Sequence, residues 1–257
     1  MGQLDGRVAL VTGGGRGIGR GISELLASEG AAVAVNYRRD QEAADATVAV
    51  IEAAGGVARA YQASVDDAEQ DARMVEAVLA DFGAIDLLVN NGGVASRGNA
   101  VADTDAAEVA RVLGTHAIGP HHLCRLVLPS MRTRSRGDIV MVSSVATSHH
   151  AGNGAPYNMG KAALEALAFT LAKEERRYGI HVNVVAPGLV DTDMGQRLAQ
   201  AMTGVTDIRA LDATSPFGHV CQPVDVARVV LWLCSEGAGY VTGQRIECDG
   251  GGTLLSY

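Results

Sequence analysis

The sequence predicts an α/β fold: one Rossmann-like domain, a doubly wound parallel sheet of seven strands with helices on both faces. Two observations predict it. Short apolar, β-branched runs alternate with longer helical patterns along the whole chain. The runs read as apolar throughout, as strands covered on both faces require. Such alternation implies right-handed crossovers and hence a parallel sheet. No internal repeat, low-complexity tract or linker interrupts the 257 residues, so 1–257 reads as a single domain.

The strands are expected at Val8–Thr12, Ala32–Tyr37, Val57–Gln62, Ile85–Asn90, Asp138–Ser143, His181–Ala186 and Arg245–Glu247. Helical patterns fall at 17–29, 40–54, 67–82, 105–132, 155–178 and 223–235. The stretch Val190–Gln222 fits neither pattern. It is long, polar and broken by Gly and Pro, which marks a substrate lid at about 190–222.

Composition excludes other classes. The chain is 47% hydrophobic with a net charge of −8, too apolar for disorder and too acidic to favour nucleic acid. No run approaches the ~18–20 apolar residues of a membrane span, and the N-terminus lacks a signal-peptide pattern. Cys124, Cys221, Cys234 and Cys248 are scattered and read as buried thiols of a reducing cytoplasm.

Directly after the first strand comes Thr12-Gly13-Gly14-Gly15-Arg16-Gly17-Ile18-Gly19. Glycines there let the backbone approach a pyrophosphate, and the helix N-terminus offers it free N–H groups. A plain surface turn is the bland alternative; position between strand and helix favours a dinucleotide. The second strand ends in Asn36-Tyr37-Arg38-Arg39, with no acid before Asp40. A carboxylate would hold ribose hydroxyls, whereas arginine pairs with a 2′-phosphate. Arg38, with Arg16, therefore points to NADP(H), with NAD(H) the alternative.

Tyr157 and Lys161 stand four residues apart at a helix start, on one face. A free phenol, pKa about 10, is a poor catalyst at neutral pH, and a nearby ammonium lowers it. Ser144 ends a strand upstream, where its hydroxyl can stand beside the phenol and polarise a carbonyl. A Y-x-x-x-K alone is a common chance pair. Here the chain has 19 arginines and two lysines, and one lysine falls at this position.

With these motifs in order, the chain resembles a short-chain dehydrogenase/reductase, most of all the 3-oxoacyl-acyl-carrier-protein reductase type. The resemblance also rests on Asn90-Asn91-Gly92-Gly93, Pro187-Gly188 with Thr192, and Thr242-Gly243-Gln244 running into Asp249-Gly250-Gly251. It implies Tyr157 as general acid, Ser144 orienting the carbonyl, and Lys161 on the nicotinamide ribose. It places Asn90 on the adenosine side, Gly92 in a cofactor-facing turn, and Ile18, Pro187, Gly188, Leu189, Val190 and Thr192 around the nicotinamide. It implies the strand order 3-2-1-4-5-6-7 and a homotetramer built through the two long helices and the C-terminal edge.

The chain departs from the family pattern at Gly92, at Ser64 and at His116. Ser64 replaces an acid that contacts adenine, though the backbone N–H of Val65 can still serve. His116 stands where the family has a catalytic asparagine. It keeps that residue's main-chain role, adds a titrating group beside Lys161, or merely packs the helix.

His121-His122 and His149-His150 are adjacent pairs whose side chains diverge, so no metal is expected. Arg132, Arg134 and Arg136, with Lys173, Arg176 and Arg177, end the two long helices. They are either a docking patch for an acyl-carrier protein or solvated helix ends. The resulting expectation is NADPH-dependent reduction of a ketone, such as a 3-oxoacyl thioester, to a secondary alcohol. An oxidative dehydrogenase of a sugar, polyol or secondary alcohol, and a non-catalytic NADP(H)-binding protein, are the alternatives.

Overall fold

The sheet is built from β1 (Val8–Val11), β2 (Ala32–Tyr37), β3 (Val57–Gln62), β4 (Leu87–Asn90), β5 (Gly137–Val142), β6 (Ile180–Pro187) and β7 (Arg245–Cys248). All neighbours pair in parallel, in the order β3-β2-β1-β4-β5-β6-β7. The coordinates are a computed structural model that describes residues 2–252. Met1 and 253–257, part of the expected domain, lie outside the described residues.

Helices α1 (Gly17–Ser28), α2 (Gln41–Ala53), α3 (Ala68–Phe82), α4 (Ala106–Leu113), α5 (Gly119–Met131), α6 (Ala146–His149), α7 (Ala155–Glu175), α8 (Asp193–Thr203) and α9 (Pro223–Cys234) cover the sheet. Strand alternation explains the two cores. In β1, Ala9 and Val11 pack into one apolar cluster, and Val8 and Leu10 into the other. Each fully buried aliphatic side chain contributes about 1.5–3 kcal/mol.

Three expectations need correction. β3 is an edge strand, so Val57, Arg59 and Gln62 face water instead of a second helix layer. The helix expected over 105–132 is split by a π-helical turn, Gly114–Ile118. An added Cβ on Gly119 would strike the Val65 carbonyl oxygen, so that turn lies hard against the loop after β3. The stretch Val190–Gln222 is not featureless: it holds α8 and a 3-10 segment, Ile208–Thr214. A Val190–Cys221 bridge closes its base. Of the four thiols, Cys124 and Cys234 are buried, whereas Cys221 and Cys248 are half-buried.

The amino edge of the sheet is held by ions. Asp138 accepts from Arg7 at 2.7 Å and Arg136 at 3.0 Å; Asp86 accepts from Arg134 at 2.7 Å and from the Val8 N–H at 2.9 Å. Arg132 forks onto the buried Glu175 at 2.6 and 2.8 Å. Arg132, Arg134 and Arg136 are thus engaged with the buried carboxylates of Glu175, Asp86 and Asp138.

Candidate active site

At the carboxyl edge, β1 pairs with both β2 and β4, and the chain direction of winding reverses there. Ligands bind outside the strand ends at such a switch point. An open cleft of about 1260 Å³ lies along it.

One end is the glycine turn. Gly13 and Gly17 have φ of +59° and +53°, a region that costs other residues strain. A Cβ on Gly19 would strike the Gly13 carbonyl oxygen, so α1 starts in direct contact with the turn. Arg16 caps α1 without a side-chain bond, which leaves the helix's first amides unclaimed by any cap. Asn36 braces the turn: its Oδ1 accepts from Gly13 N–H at 3.2 Å, and Gly14 N–H donates to its carbonyl at 2.9 Å. Arg16, Ile18, Tyr37, Arg38, Ser64, Val65 and Gly92 line the same cleft. The exposed, uncapped and cationic turn fits the diphosphate of a dinucleotide.

Asn90 points elsewhere. Its Nδ2 reaches the Met141 sulfur at 3.2 Å, and its Oδ1 is buried without a partner. Asn91 fronts the cleft, its Nδ2 donating to the Thr12 carbonyl at 2.9 Å. Pro187 and Gly188 are pinned behind the cleft: Val145 N–H donates to the Pro187 carbonyl, and Gly188 N–H to the Cys248 carbonyl. Val190 is buried in the core, and Thr192 lines the cleft where it caps α8, accepting from Gly195 N–H at 3.1 Å.

The other end gathers Tyr157, Lys161 and His116, with Ser144 beside the phenol. The Lys161 ammonium is 4% exposed and donates to the Val142 carbonyl at 2.7 Å. Burial pulls its pKa down to about 7, with Glu165 opposing. Tyr157 differs from expectation. Burial pushes the phenol up, and the Ser144 hydroxyl opposes it. Desolvation outweighs the hydrogen bond from Ser144.

His116 sits in the π-helical turn, 1% exposed. Its Nε2 meets the Val94 carbonyl at 2.8 Å, while Nδ1 is buried and unpartnered. Burial and then the Lys161 charge press its pKa down to about 3, so it is neutral at physiological pH. A titrating role is therefore the reading its surroundings oppose. Glycines make room for the ring: a Cβ on Gly160 would come 3.0 Å from the His116 Cβ, and one on Gly93 2.8 Å from Cε1.

Within the 190–222 segment, sequence reasoning named only Val190 and Thr192 as site residues. Asp191, Met194, Arg197, Arg209 and Gln222 also line the cleft. Asp191 accepts from Arg209 at 3.1 Å and from Gln222 at 3.4 Å, tying both ends of the 190–222 segment. No local spacing joins residues 18 to 31 positions apart. Among the described residues no three His, Cys, Asp or Glu side chains cluster as a metal site, and no helix is long and apolar enough to cross a membrane.

Comparison with known proteins accords with this geometry. Residues 13–253 match the family model described as Enoyl-(Acyl carrier protein) reductase. The chain is 37% identical over 243 residues to the 3-oxoacyl-[acyl-carrier-protein] reductase FabG of Staphylococcus aureus, covering 95% of this chain and 96% of that protein. The angucycline C-6 ketoreductase LanV with bound NADP superposes with a TM-score of 0.88 at 36% identity, covering 99% of this chain and 98% of the other. A 7α-hydroxysteroid dehydrogenase complexed with NADH superposes with a TM-score of 0.89 at 30% identity, covering 98% and 96%. The sheet order, the glycine turn, the Tyr157–Lys161 pair and these matches agree: the chain is an oxidoreductase of the short-chain dehydrogenase/reductase family.

Proposed function

We propose that the chain is an NADPH-dependent ketoreductase that converts a ketone to a secondary alcohol. The observation that carries it is the convergence of the Tyr157 phenol, the Ser144 hydroxyl beside it and the buried Lys161 amine at one end of the cleft. A phenol held neutral keeps the proton that reduction must deliver to the carbonyl oxygen. Bound NADPH supplies the hydride. Ser144 and Tyr157 hold the carbonyl oxygen between two hydroxyls, and the alkoxide character that develops there is met by the Tyr157 proton. Lys161, poised near neutrality, passes a proton back toward the phenol.

The cofactor choice rests on charge at the cleft's far end. Arg16, Arg38 and Arg39 line it, and the acids there are engaged: Asp40 accepts from Ala43 N–H and pairs with Arg16 at 3.8 Å, Glu24 accepts from Arg20 at 2.7 Å, and Asp66 accepts from the Ser64 hydroxyl. Three guanidinium groups beside carboxylates that are already engaged favour a 2′-phosphate. In this reading Asn36, Tyr37, Ser64, Val65, Gly92 and Thr192 flank the dinucleotide, and the 190–222 lid closes over the substrate. A homotetramer through α4, α5 and α7 accompanies it. The test follows NADPH and NADH oxidation against a panel of ketones and acyl thioesters. Faster turnover with NADH removes the cofactor reading; no turnover with any carbonyl removes the ketoreductase.

A further inference from the structure

Three consecutive residues at the end of β5 are each gripped by a charged side chain from another element. The Val142 carbonyl accepts from Lys161 of α7 at 2.7 Å. The Ser143 hydroxyl donates to Glu165 of α7 at 2.6 Å. The Ser144 carbonyl accepts from Arg245 of β7 at 3.3 Å. Glu165 and Arg245 also bind each other, Nε to Oε1, at 3.0 Å. Thr147 completes the cluster. Its hydroxyl lies 2.8 Å from Glu165, 2.9 Å from the Ser144 carbonyl and 2.9 Å from Arg245.

We propose that Glu165 and Arg245 are positioning residues that fix the Ser144 hydroxyl beside Tyr157 and hold a negative charge one helical turn beyond Lys161. The inference rests on the ketoreductase reading for what Ser144 does, but its electrostatic half stands on the geometry alone. The pair is 13% and 20% exposed, so its charges are only partly screened by solvent. Glu165 follows Lys161 by four residues, which stacks the two side chains on one face of α7. Its carboxylate favours the ammonium form that burial opposes. The charged and titratable groups about Lys161 are Tyr157, His116 and Glu165. Those about Glu165 are Lys161 and Arg245, and Arg245 also pairs with Glu247, which His149 faces.

Position explains why both members are needed. A lone carboxylate beside Ser143 would be half desolvated, and a lone guanidinium would lose its anchor on β7. Together they bridge α7, β7 and the loop after β5, so the Ser144 backbone cannot drift from the phenol. Displacement of a reacting group by about 1 Å can cost about a hundredfold in rate.

The chain's two lysines make a direct test practical. The full enzyme is labelled with ¹³C at lysine Cε and titrated by NMR, with Lys173 as the internal reference. Glu165→Gln keeps the size and the acceptor oxygen but removes the charge. It is expected to lower the Lys161 midpoint by about one pH unit and leave Lys173 unmoved. It should also lower kcat about tenfold while KM stays within about twofold. Glu165→Asp keeps the charge and should hold the Lys161 midpoint near the wild type. An unmoved Lys161 in Glu165→Gln, or turnover within about twofold of wild type, overturns the proposal. Should Glu165→Gln fail to fold, Arg245→Gln decides. A kcat loss of about tenfold without any lowering of the Lys161 midpoint supports the proposal, and unchanged kcat overturns it. Absence of turnover in the wild type would overturn the ketoreductase and leave the lysine titration to judge the charge.

Discussion

The His116 ring stands edge-on to the Tyr157 ring, with centroids 5.2 Å apart and planes at 81°. This contact supports the phenol ring, and aromatic pairs of this kind contribute about 0.5–1.5 kcal/mol. A neutral, packed imidazole is a support and not an acid. His116→Asn should therefore keep activity within about tenfold and leave the pH profile of kcat unchanged. A loss of about several hundredfold in steady-state assays would make the imidazole a catalytic participant.

Tyr157→Phe removes the hydroxyl and keeps the ring against His116. Turnover should fall by about a thousandfold or more. NADPH affinity, followed by fluorescence titration, should change by less than about threefold, because loss of one group at the reacting end leaves the phosphate contacts intact. A variant that binds cofactor but still reduces ketones would displace Tyr157 from its role.

Arg38 is exposed at the end of β2, beside Arg16. A charge-assisted bond is worth about 1.5–3 kcal/mol, so Arg38→Ala should weaken NADPH binding about tenfold to a hundredfold. NADH binding should hold, and the ratio of the two dissociation constants is the measurement. Equal losses for both cofactors would contradict a 2′-phosphate contact.

Asp71 in α3 is fully buried and both its carboxylate oxygens lack partners. Burial, then Asp67 and Asp66, push its pKa up to about 7. Its sign is opposite to that of a salt-bridged acid. Between about pH 4 and 7 the folded chain holds a proton that the unfolded chain releases, so stability falls as pH rises. His116 acts the other way, since its lowered pKa costs stability as pH falls below about 6.5. The difference between Asp71→Asn and wild type isolates the first effect. Calorimetry should find the variant more stable at pH 8 by several degrees, on the order of 2–4 kcal/mol, and nearly equal at about pH 4. Equal melting temperatures at pH 8 would show that the carboxylate has found a partner.

The sheet was legible because its pattern is local. β2 and β3 fall where the sequence places them, and the Gly13–Gly19 turn, Ser144, Tyr157 and Lys161 signal their place by spacing. The rest depends on tertiary contact. α8 hides the small residues Gly195 and Ala199 and turns Met194, Leu198 and Met202 outward. That inversion defeats a rule that reads large apolar residues as the buried face. The π-helical turn is invisible because apolar spacing continues across it, and only the Gly119 contact with Val65 marks it. Glu165 and Arg245 lie 80 residues apart, beyond any motif. The partners of Arg132, Arg134 and Arg136 are hidden for a similar reason: Glu175, Asp86 and Asp138 are brought in by the fold.

Lys161 is buried and Lys173 is exposed toward the opposite end of α7. Twelve residues of helix put them about 18 Å apart along the axis. Amine-directed reagents therefore meet one reactive side chain in the described fold, together with the chain's α-amino group. The enzyme can be tethered to a support or labelled through Lys173, the one side-chain amine the reagent reaches in the described fold, with the cleft's working amine shielded from it.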